Sequence, residues 1–171
     1  SPFTGEIYAT DMGRDWLGDE LPPEEVNIIK DGQNYGWPIC YGDKVHDTDF
    51  DKNQYIRNPC EDTVGPVATM PAHAAPLGLS FIPELGFNEE YWHDLLVVQH
   101  GSWNRSTPIG YEVVRMEMDK EGNYLGTEKF LSGFLLEGEA WGRPADVLAV
   151  ESGKIFVSDD KAGAVYLLIA K

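Results

Sequence analysis

Short runs rich in β-branched and aromatic residues, each closed off by Gly, Pro, Asn or Asp, recur along the chain: GEIYATD, LGLSFIP, DLLVVQH, YEVVRMEMD, KIFVSDD and AVYLLIA. Runs of this length and punctuation read as strands. Most of the eighteen glycines and eleven prolines fall between them. The one plausible helical stretch, PPEEVNIIK, is one or two turns long. The expected class is all-β.

The runs repeat as units. PLGLSFIP, a long turn, DLLVVQHGSW, a turn and YEVVRMEMD give strand-turn-strand-turn-strand. PADVLAV, an ESG turn, KIFVSDD, KAG and AVYLLIAK give the same pattern. The second strand of each unit ends in polar residues, Gln99 and His100 or Asp159 and Asp160, and GEIYATDMG ends likewise. Repeated three- to four-stranded units point to β-propeller blades rather than a sandwich, which does not require the repeated polar ends. At roughly 40 to 50 residues per blade, residues 1–171 hold three or four, as one partial propeller.

A chain of 171 residues suits one ordinary core. The excess of 29 acidic over 13 basic residues disfavours a broad nucleic-acid surface or binding to anionic membranes, both of which need a basic patch. No apolar run approaches the roughly 20 residues of a membrane span. The chain opens Ser-Pro, which leads us to expect either a removed leader or a piece of a longer protein. Cys40 and Cys60 bracket a polar loop; paired, they would contribute roughly 3 kcal/mol by restricting the unfolded chain. That pairing favours an oxidising compartment, against the reading of two unrelated buried thiols.

Three of the five arginines lie in loops beside Trp and Gly, each at one end of a strand-like run: Arg14 in MGRDWLG, Arg105 in HGSWNR and Arg143 in WGRP. Fixed planar forks in aromatic loops of a chain with net charge -16 suit a flat, anionic small molecule. The plainer reading of each is an ion pair.

The run MGRDWLGDELPPEEVNIIKDGQNYGWPICYG resembles the soluble quinoprotein sugar dehydrogenases, the glucose/sorbosone and pyranose dehydrogenase family. APLGLSF, HGSWNRSTPIGYEVVR and WGRPADV resemble that family's later motifs, in its order. The resemblance covers essentially the whole chain and the C-terminal half of the family's six-bladed propeller. It implies a PQQ- and calcium-dependent oxidoreductase that passes hydride from an aldose or pyranose to the quinone, with an external electron acceptor and a periplasmic or secreted location. Arg14, His73, Asn104, Arg105 and Arg143 would surround PQQ, and the backbone carbonyls of Gly13 and Arg14 would help hold Ca2+. The family's catalytic histidine matches no position here, so the isolated chain is expected not to turn over sugar. Missing N-terminal blades or a second copy would be needed to close the ring. Where some relatives carry a second arginine, this chain has Pro144-Ala145.

PQQ carries three carboxylates on a flat ring system, which guanidinium forks match two bonds at a time. Calcium takes six to eight oxygens, which loop carbonyls can supply, with Gly13 allowing unusual torsions. His100 is a reserve general base. His73 has a structural reading, as a satisfied loop histidine. Asp43, Asp47, Asp49 and Asp51 lack the Gly and terminal Glu of an EF-hand and read as a solvated acidic loop. Trp37 and Trp92 read as packing residues, while Trp103 and Trp141 flank arginines and would pack on a ring or brace the guanidinium groups. The rival class is a non-enzymatic propeller that binds partners without a cofactor.

Overall fold

The computed structural model describes residues 1–170, and every regular element longer than one turn is a strand. In order these are β1 (Ile7–Asp11), β2 (Glu24–Ile29), β3 (Cys40–Tyr41), β4 (Val45–His46), β5 (Ala68–Met70), β6 (Pro76–Phe81) and β7 (Leu95–Gln99). Then follow β8 (Glu112–Met118), β9 (Tyr124–Leu131), β10 (Leu135–Leu136), β11 (Glu139–Ala140), β12 (Pro144–Val150), β13 (Lys154–Asp159) and β14 (Ala164–Ile169). A single 3-10 turn spans Glu89–Tyr91.

Three antiparallel sheets carry the fold, in strand orders β1-β2-β5, β6-β7-β8-β9 and β12-β13-β14. They stack face to face as successive blades of a partial β-propeller. The middle blade is covered on both sides, and β7 shows why its sequence is continuously apolar. Alternate side chains of a strand point to opposite faces. Leu95 and Val97 therefore join Tyr8, Val26, Ala68 and Met70 in one core. Leu96 and Val98 join Val147, Ala149, Ile155 and Val157 in the other. The blades are also tied by Thr10 Oγ1, which donates to the Leu77 carbonyl at 2.8 Å, and by the Ala149 N–H, which donates to Ser80 Oγ at 3.1 Å.

The expected helix PPEEVNIIK is instead strand β2, the centre of the first blade. Backbone pairing on both sides, Thr10↔Val26 and Val26↔Ala68, overrides local propensity. Glu24 and Glu25 are buried there because backbone N–H groups of Gly13 and Gly42 donate to their carboxylates at 2.8 and 2.6 Å. The strand β9 also escaped the sequence reading, since its residues are largely exposed and polar on the blade's outer edge.

Cys40 and Cys60 form a disulfide. The loop it closes matches the expected solvated acidic loop only at Asp43 and Asp49, which are exposed. Asp47 and Asp51 are buried, and each carboxylate accepts hydrogen bonds from its own loop.

Candidate functional site

Antiparallel pairing places the ends of β1, β7 and β13 and the starts of β2, β6, β8 and β12 at one end of the stack. The polar strand ends of the sequence repeat therefore converge. All the sequence-predicted site residues lie on the loops of this end.

Asn104, after β7, donates through Nδ2 to Asp15 Oδ1 at 2.6 Å and to His73 Nδ1 at 3.2 Å. His73, before β6, reaches the Gly18 carbonyl with Nε2 at 2.8 Å. A carbonyl only accepts, so Nε2 carries the proton and Nδ1 takes the bond from Asn104. Three loops are thus joined by one chain of hydrogen bonds. Asn104 Oδ1 is buried and has no partner among the described residues.

The three arginines differ in how their charge is met. Arg14 donates through Nε and Nη2 to both oxygens of Asp47, a two-bonded ion pair with a carboxylate only 3 % exposed. This bond holds the Asp47 carboxyl below its usual range, against the opposing effect of burial. Arg105 donates to the carbonyls of Asp19 and Ala72 and to Glu20 Oε1, fastening the 13–20 loop to the 101–106 loop. Its Nε is buried with no partner among the described residues.

Arg143 has no carboxylate partner among the described residues. Its Nε and Nη2 donate to the carbonyls of His100 and Gly101, and its guanidinium lies 5.5 Å from the centre of the Tyr111 ring. Gly101, at φ +103°, lets that ring approach: a Cβ there would sit 2.4 Å from Tyr111 Cδ1. The Arg143 N–H donates to Asp159 Oδ1 at 2.9 Å. Burial works against the Asp159 carboxylate, but donation from Ala162, Arg143 and Tyr166 outweighs it and lowers its pKa. Next to it, His100 Nε2 lies 2.9 and 3.0 Å from the two oxygens of Asp160.

Gly13 is required for a different reason from the one expected. Its φ is not positive; a Cβ would lie 2.4 Å from Pro22 Cγ, so close approach excludes a side chain. Its N–H donates to Glu24, whose carboxyl is pushed up by burial despite the bonds it accepts. The carbonyls of Gly13 and Arg14 accept no hydrogen bond from the described residues. No cluster of three or more His, Cys, Asp or Glu among the described residues could hold a metal. Asp15, Asp47, Glu24, Tyr111 and Asp160 escaped the sequence reading as site residues; the polar endings at Asp159 and Asp160 were the one available signal.

Residues 18–171, nearly the whole chain, match the TrAA12-like family model. The chain belongs to the TrAA12-like family. It is 36% identical over 169 residues to an uncharacterized protein of Borreliella burgdorferi, covering 96% of this chain and 44% of that protein. It is 38% identical over 114 residues to a pyrroloquinoline quinone-dependent pyranose dehydrogenase of Coprinopsis cinerea, covering 54% of this chain and 15% of that protein. Its fold matches a calcium structure of the Trichoderma reesei carbohydrate-active enzyme family AA12 protein with TM-score 0.73 at 22% identity, over 97% of this chain and 49% of that one. This TrAA12-like chain therefore spans about half the length of its solved relative.

Proposed function

We propose that the loop end of the blades is the PQQ-binding face of a sugar-oxidising quinoprotein, and that this chain supplies part of that face. The observation that carries the reading is Arg143: a guanidinium held in place by two carbonyls and a ring, with no carboxylate to neutralise it. An anionic, planar ligand satisfies both its charge and its fork. Asn104 Oδ1 and Arg105 Nε, buried and unpartnered, leave one acceptor and one donor unsatisfied in the adjoining loop. The free Gly13 and Arg14 carbonyls are the groups that would hold Ca2+. Bound there, the quinone would accept hydride and the calcium would act as a Lewis acid. The Coprinopsis relative, a PQQ-dependent pyranose dehydrogenase, supports the family chemistry and a sugar substrate, and the disulfide supports an extracellular or periplasmic setting; an external electron acceptor completes the proposed reaction.

In this reading the chain's own residues orient and neutralise the ligand. Arg143 pairs with a carboxylate, and the Asn104–His73 chain fixes the loop that adjoins it. Arg14 and Arg105, already engaged by Asp47 and by Glu20 with two carbonyls, brace loops rather than meet the ligand as free charges. His100, with Nε2 turned to Asp160, keeps only Nδ1 for a proton. The family's catalytic histidine matches no position here, so we expect this chain alone to reduce no dye with sugar, PQQ and calcium.

That engagement of two arginines also favours the rival reading, a propeller that binds partners without a cofactor. Titration of PQQ into the chain, with and without calcium, separates them by absorbance. Saturable, calcium-dependent binding at least tenfold weaker in Arg143→Ala is the expected result. Equal binding by the variant, or no binding by this chain and by one extended upstream, overturns the cofactor reading.

A further inference from the structure

Trp16 and Trp103 stand on two different loops of the candidate end and are 75% and 64% exposed. Their rings meet edge to face, with centroids 5.3 Å apart and planes at 81°. Large flat apolar surfaces left in water cost free energy, so an exposed aromatic pair at a polar loop end marks a binding surface. The indole N–H groups tell the same story. Those of Trp92 and Trp141 donate to the Phe87 and Gly133 carbonyls, whereas those of Trp16 and Trp103, like that of the exposed Trp37, donate to none of the described residues.

The backbone holds this arrangement at a cost. Trp16 has φ +74°, a left-handed conformation that a bulky side chain rarely adopts. Such a conformation persists only where its surroundings over-determine it. Here they do: Arg14 before it is held by Asp47, Asp15 is held by Asn104, Gly18 by His73, and Asp19 and Glu20 by Arg105 and the Ser106 N–H. Every one of these bonds fixes the loop around an indole that is itself left in solvent.

We propose that the Trp16–Trp103 corner is a subsite for one ring of a neutral oligosaccharide. One indole face covers the C–H face of a pyranose. The carboxylates of Asp15 and Glu20, 40% and 80% exposed as side chains, accept from its hydroxyls, and the free indole N–H groups donate to its oxygens. The Asp15 carboxylate, held by the neutral Asn104 amide in a chain of net charge -16, repels acidic saccharides. The substrate class rests on the sugar-oxidising reading above, but the subsite is tested by binding alone, without PQQ, so the two can fail separately.

Calorimetric titration of this chain with cellotetraose and maltotetraose is the test. At least one should bind saturably with Kd of order 1 mM, glucose more weakly, and tetragalacturonate not at all. Trp16→Ala and Trp103→Ala should each weaken binding about tenfold, while Trp92→Ala, at the opposite end of the blades, leaves it unchanged. Circular dichroism should match wild type for all three, since the indoles removed at 16 and 103 are exposed. Binding that survives both substitutions, or no binding of either tetrasaccharide, overturns the proposal. Preferential binding of choline overturns it as well, since the corner would then be an aromatic cage for a cation.

Discussion

Arg14 and Arg143 carry the same guanidinium into the same end of the molecule, and their surroundings give them different work. Arg14 finds Asp47 and closes an ion pair; Arg143 finds only carbonyls and a tyrosine face. Sequence placed both in Trp/Gly loops but could not show which would be neutralised, because Asp47 lies 33 positions from Arg14. The pair sets a pH dependence. A carboxyl whose pKa is depressed by folding contributes stability that is present above its ordinary value near 4 and lost as pH falls through the depressed value. Asp47→Asn should therefore lower unfolding free energy by about 1 kcal/mol at pH 7, measured by urea denaturation. The gap to wild type should close towards pH 2.5; an equal gap at both pH values would contradict the assignment.

At the scale of elements, strands that alternate or run continuously apolar were legible, and elements whose identity depends on neighbours were not. β7 announced burial on two faces through LLVV, whereas EEVNII looked helical until β1 and β5 flanked it. The 40–60 loop belongs to the second kind. Asp47 and Asp51 are buried around a framework that the disulfide closes, and Asp47 reaches from it to Arg14. Cys40→Ala with Cys60→Ala should cost about 3 kcal/mol, seen as a lower denaturation midpoint that reductant no longer shifts. It should also loosen Arg14, read as faster hydrogen exchange at Asp49 and Phe50, whose N–H groups bond to Asp47. Unchanged exchange there would show that the loop is held without the bridge.

Across the whole molecule, three blades have four broad faces between them that pack and two terminal faces that do not. The outward face of the last blade presents Leu148, Val165, Leu167 and Ile169, all about half exposed or more, in rows set by the register Leu148↔Phe156↔Leu167. An apolar sheet face of this size favours association. The chain should form concentration-dependent oligomers in light scattering, and Leu148→Lys with Leu167→Lys should shift it to monomer with little effect on stability. A wild-type monomer at every concentration would refute this.

The class, the blade repeat and the end of the strands at which the polar residues gather were legible in the sequence alone, because alternation, turn residues and strand-end chemistry are local properties of the chain. The sequence also placed the arginines, His73 and Asn104 in the loops that the tertiary structure joins. Which of those side chains remain free depends on contacts made across the stacked blades. Asp47, Glu20 and the carbonyls of Asp19 and Ala72 reach Arg14 and Arg105 across 33 to 86 positions of sequence. Those distances along the chain vanish only when blades stack, and with them the charge available for a ligand passes to Arg143.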